Sequence, residues 1–154
     1  MSFRVLGLSP EPFRPLFSLT DEQLRERGAL RMMADDPRMP CRVSMEHAAV
    51  GEELLLLNHE YQPANTPYRA THAIYVRKVA DQAYSAIDHV PEILATRLLA
   101  VRAFDAEHMM IDAEICEGNV VADLFERFLA DPNSNYLQVH NARRGCYAAR
   151  IERA

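Results

Sequence analysis

Leu99-Ala100-Val101-Arg102-Ala103-Phe104 and, after a short interruption, Ile111-Asp112-Ala113-Glu114-Ile115-Cys116 decide how this chain folds. In both segments small or apolar residues recur at every second position, the period of a strand with unlike faces. A turn at Ala106-Glu107-His108 joins them into an antiparallel hairpin. Three turn residues set Val101 beside Ala113 and Arg102 beside Asp112. A two-residue turn would set Val101 against Asp112, which the burial pattern disfavours. The expected Arg102–Asp112 pair is a cross-strand contact of modest strength.

The neighbouring segments extend the same plan. Asn119 is placed to cap a helix in which Val121, Leu124, Phe125, Phe128 and Leu129 form one apolar stripe, closed by Asp131-Pro132-Asn133. Tyr136 to Ala142 and Cys146 to Arg153 then read as a second hairpin about Arg144-Gly145, with Arg143 opposite Cys146. Upstream, Leu54 to Leu57 is apolar throughout, as a strand covered on both faces requires. A partner from Tyr68 to Lys78, across the loop Gln62 to Pro67, sets Tyr61 against Tyr68 and Glu60 against Arg69. The N-terminal part offers a strand at Phe3 to Leu8 and a short helix after Ser9-Pro10. A further helix, with a Thr20/Gln23 capping box, ends at Gly28, and a strand follows at Leu30 to Ala34. These elements predict an α+β fold of mainly antiparallel sheet built from hairpins and packed by two to three helices. Nothing divides residues 1–154, so one globular domain is expected.

Composition excludes several classes. The chain has 154 residues, 49% hydrophobic and 25% charged, and a formal net charge of -5. No basic stripe is present to neutralise phosphates, so nucleic acid is not an expected partner. No apolar run approaches the length of a membrane helix, and Met1 to Val5 does not resemble a leader. Cys41, Cys116 and Cys146 show no paired spacing, which reads as reduced thiols in a cytoplasmic protein.

Pro40-Cys41-Arg42, Gly51-Glu52, Pro63-Ala64, Thr66-Pro67-Tyr68-Arg69, His72-Ala73-Ile74, Arg143, Gly145-Cys146-Tyr147 and Arg150 together resemble a bacterial family. It is domain-of-unknown-function family twelve-oh-three, and the resemblance runs along essentially the whole chain. It implies an identity and no mechanism, while suggesting that polar motifs in separate segments belong to one design.

Those motifs supply the candidate chemistry. Tyr68, Arg69 and His72, with His59 from the neighbouring strand, combine an anion-binding fork with a group able to move protons near neutral pH. The plainer reading is a satisfied histidine beside a Glu60–Arg69 salt bridge. His140, Arg143, Cys146 and Tyr147 form a second group, in which arginines beside a thiol favour nucleophilic chemistry. The plainer reading there is a small buried cysteine under a hairpin. Cys41 and Arg42 repeat the theme, although neighbouring strand residues point to opposite faces. The expected catalytic residues are therefore His72, His140, Cys146 and Cys41. Those expected to bind ligand are Arg69, Tyr68, Arg143, His59, Arg42 and Tyr147.

The six histidines lack metal-ligand spacing, no glycine-rich phosphate loop is present, and no motif calls for a cofactor. The expected function is binding of a small anionic molecule in a pocket lined by Arg, His, Tyr and Cys, with catalysis as the stronger form. The alternative is a non-catalytic homodimeric module that pairs through a sheet edge or a methionine-rich segment.

Overall fold

The computed structural model describes residues 1–154. Its strands are β1 (Phe3–Leu6), β2 (Ala29–Met33), β3 (Glu53–Gln62), β4 (Ala70–Arg77), β5 (Ser85–Ile87), β6 (Leu98–Phe104), β7 (Met110–Glu117), β8 (Tyr136–Asn141) and β9 (Tyr147–Arg153). The helices are α1 (Asp21–Glu26), α2 (Glu92–Ala95) and α3 (Val121–Ala130), with 3₁₀ turns at Arg14–Ser18 and Gly118–Val120. Every named strand pairing is antiparallel. One sheet has six strands in the order β5-β1-β9-β8-β6-β7, and the other three in the order β2-β3-β4. The expected α+β class is therefore the observed one.

Helices cover one face of the large sheet. Val121, Leu124, Phe125, Phe128 and Leu129 of α3 pack on Leu99, Val101, Leu137, Val139, Ala149 and Ile151. The small sheet lies over the other face. Its inward residues Leu55, Leu57, Ile74 and Val76 join Cys41, Val43, Phe13 and Leu24 in a second core. Leu54, on the outward face, is buried by Ala34, Met39 and Ala48 from the flanking loop. Both faces of this leucine run are thus covered, as its unbroken apolar pattern demands.

The first hairpin has the expected turn and a different register. His108 adopts φ 63°, and Asp105 Oδ1 accepts from the backbone N–H groups of Glu107 and Met109, as in a three-residue loop ending in a left-handed residue. Phe104 lies opposite Met110 as that turn dictates. A bulge then leaves Ile111 without a partner and moves the remaining pairs by one. Val101 faces Glu114 and Arg102 faces Ala113, so the expected Arg102–Asp112 pair does not form.

Other departures also arise where local irregularity overrides alternation. His59 pairs with His72 and Glu60 with Thr71, two positions from the expected register, and a bulge follows at Tyr61. Tyr68 lies outside β4, yet the Glu60–Arg69 salt bridge forms at 3.0 Å. A 3₁₀ turn leads into α3, so Asn119 is not its cap. β5 and α2 lie in segments too short to show a period.

The Thr20/Gln23 capping box is present: Thr20 Oγ1 accepts from Gln23 N, and Gln23 Oε1 accepts from Thr20 N. Thr20→Ala should cost about 1 kcal/mol. A denaturant midpoint unchanged from wild type would show that α1 is held by packing alone.

Candidate functional site

The sequence motifs that converge do so on the turn between β8 and β9. Asn141, not Arg143, stands opposite Cys146: its N–H donates to the Cys146 carbonyl at 2.9 Å, and Gly145 N–H donates back to the Asn141 carbonyl at 2.8 Å. The turn therefore holds four residues, Ala142 to Gly145. Gly145 needs its freedom, with φ 78° and the His72 ring 3.8 Å from where a Cβ would stand.

Two histidines clasp this turn from between the sheets. His72 Nε2 lies 2.9 Å from the Arg144 carbonyl oxygen, which only accepts, so the tautomer protonated there donates to it. His140 is fully buried, with Nδ1 3.1 Å from the Gly145 carbonyl and Nε2 3.3 Å from Gln138 Oε1. Tyr61 and Tyr147 stack 5.7 Å apart, and both set their rings edge-on to His140. Burial, helped by the charge of Arg102, pushes His140 down to about 4, so the ring is neutral at physiological pH. Burial also holds the Tyr147 phenol far above its ordinary range and lowers His59.

The strongest electrostatic anomaly is Arg42. Its side chain is 2% exposed, yet no carboxylate pairs with it, and no protein group accepts from Nε or Nη1. Only Nη2 is matched. With the Asn141 amide oriented oxygen-inward, Oδ1 accepts from Arg42 Nη2 at 3.1 Å and from Arg97 Nη1 at 3.3 Å. Arg97 also donates through Nη2 to the Arg38 carbonyl and to His47 Nε2. Burial, reinforced by the Arg97 charge, lowers Arg42 to about 10. Cys146 lies within electrostatic range of both guanidinium groups and is partly exposed. Two cations thus share one polar amide, with a partly exposed thiol within electrostatic range of both.

The remaining predicted residues face solvent or lie elsewhere. Arg69 and Arg143 are exposed, Arg69 being held by Glu60. Tyr68 packs edge-on against Phe104 at the opposite end of the sheet interface. Cys41 is wholly buried in the small-sheet core, where its sulfur accepts from Arg77 N–H at 3.4 Å. Arg97, Asn141 and His47 form no motif in the sequence, and only tertiary packing brings them together with Arg42.

A surface cleft of about 220 Å³ lies on the far side, between α3 and β7, lined in part by Asp112, Glu114, Arg127 and Asp131. Three carboxylates against one guanidinium make that cleft unsuited to an anion.

Fold and site together define a layered α+β protein, six-stranded sheet against three-stranded sheet, with an uncompensated guanidinium pair at their junction. Residues 38–153 match the family described as "Protein of unknown function (DUF1203)", and the chain belongs to that family. The match spans Arg42, Arg97, Asn141 and Cys146. No curated protein and no solved structure matches the chain.

Proposed function

We propose that the protein binds a small oxyanion at Arg42, Arg97 and Asn141, between the two sheets. The observation that supports this reading is the burial of the Arg42 guanidinium with no acidic partner. An isolated buried cation costs several kcal/mol, and an anion that accepts from Nε and Nη1 offsets that cost. Arg97, joined to Arg42 through the Asn141 amide, and His47, which accepts from Arg97, are only partly buried, so the group is not sealed on every side. Catalysis would require Cys146, whose carbonyl accepts from the backbone N–H of Asn141.

The test is thermal unfolding in sodium sulfate against sodium chloride at matched ionic strength. Sulfate also stabilises proteins by exclusion from their surfaces, so the informative quantity is the difference between wild type and Arg42→Met. Saturation at ~100 times Kd would stabilise wild type by about 2.7 kcal/mol. Arg42→Met should not share this gain. Without sulfate it should be as stable as wild type or more so, by about 1–2 kcal/mol, because a buried charge is replaced by an apolar chain. Equal sulfate responses in the two proteins would overturn the reading.

The assembly alternative gains less support. β7 is an exposed edge carrying Ile111 and Ile115, but it also carries Asp112, Glu114 and Glu117. Two copies paired along it would bring these acids together, a common protection of sheet edges.

A further inference from the structure

We propose that Cys146 is a peroxide-oxidisable thiol whose oxygenated forms fill the Arg42–Arg97 anion site from within the chain. This rests on the anion-binding reading and adds a chemical route by which the chain regulates its own site. Its warrant is the contrast among three thiols in one fold.

Cys41 is wholly buried among apolar side chains, closed to any oxidant in solution. Cys116 is partly exposed on β7, where burial and the carboxylates of Glu114 and Glu117 push its thiol up. Negative oxygen on that sulfur would meet two negative neighbours, opposed only by Arg127, which is already paired with Glu114. Cys146 is also partly exposed, but it stands directly opposite Asn141, the residue whose amide joins the two guanidinium groups. The Asn141 N–H donates to the Cys146 carbonyl at 2.9 Å, which ties the thiol's backbone to the residue carrying the shared amide, and both guanidinium groups lie within electrostatic range of the thiol. A short-lived negative oxygen on Cys146 would therefore form beside the unmatched N–H groups of Arg42.

The chemistry balances with peroxide as co-reactant. The Cys146 sulfur attacks one peroxide oxygen, the O–O bond breaks, and an S–O bond forms. The thiol proton leaves with the departing hydroxide as water, giving a sulfenic acid; sulfur is oxidised by two electrons and peroxide reduced by two. A second peroxide repeats the transfer and gives a sulfinic acid, which is anionic at neutral pH. The sulfinate oxygens are then the acceptors that the guanidinium group lacks. Arginine forks match paired oxygens of this kind.

The experiment exposes reduced protein to limiting hydrogen peroxide and maps oxygen addition by peptide mass, about 16 and 32 Da for one and two oxygens. Cys146 should be oxidised at least about tenfold faster than Cys116. The oxidised protein should lose its sulfate response, as should Cys146→Asp, which supplies a carboxylate at the same place. Cys146→Asp should also melt above Cys146→Ser. Oxidation of Cys116 at an equal or greater rate would overturn the proposal. So would an intact sulfate response after oxidation, or a Cys146→Asp protein no more stable than Cys146→Ser. Mapping does not depend on sulfate binding: failure of reduced wild type to respond to sulfate counts against the anion site, whereas slow Cys146 oxidation counts against the thiol alone.

Discussion

Gly118→Ala is expected to destabilise the protein by about 3 kcal/mol, the upper end of what overpacking usually costs. A Cβ at this position would stand 1.8 Å from the Leu94 carbonyl oxygen and 2.8 Å from that of Arg97. Both obstacles are backbone, so no side-chain rotation relieves them. Gly118 N–H also donates to the Arg97 carbonyl at 2.8 Å, which pins the end of α2 to the start of the α3 segment. Relief of the clash must therefore move Arg97, and the same substitution should weaken the sulfate response. Urea unfolding checks the first effect, and a midpoint matching wild type would contradict so close an approach.

Acid should unfold the protein partly through His140. Its native pKa is pushed down to about 4 by burial, while the unfolded ring titrates near its ordinary 6.5. The unfolded chain therefore binds a proton that the native ring refuses. The stability conferred by the neutral ring is fully present above pH 6.5 and falls as pH drops, until the native ring itself titrates near pH 4. Over that window the loss is about 3 kcal/mol. Gly145 and Gln138 offer oxygens that would welcome the charge, whereas Arg102, His72 and Arg42 oppose it, and burial outweighs the hydrogen bonds. Carboxylates titrate in the same range, so the readout is the difference between wild type and His140→Gln across pH 4 to 7. Parallel stability curves would sink this account.

Much of the fold was legible because alternation and periodicity report burial directly. The stripe from Val121 to Leu129, the leucine run at Leu54 to Leu57 and the turn at Ala106-Glu107-His108 all lie where their patterns put them. The bulges at Tyr61, Ile111 and Ala148 were not legible, since each inserts one residue for geometric reasons that composition does not record. Each moved a specific pairing, and the Arg102–Asp112 contact was lost to the bulge at Ile111.

The candidate site divides in the same way. His72, His140, Cys146 and Arg42 could be named from the sequence because unusual polar residues next to apolar strands ask for an explanation. Arg69 and Arg143 were named on the same grounds and are surface residues. The choice among these arginines depends on desolvation, which a linear sequence does not contain.

The sequence by itself determined an antiparallel α+β chain whose polar motifs border its strands, because side-chain alternation is a local property. Only the tertiary structure decided which of those motifs share a place. Stacking two sheets seals Arg42 from water and brings Arg97, Asn141 and Cys146 from distant segments to its side. The electrostatic cost of that burial is what the proposed anion would offset.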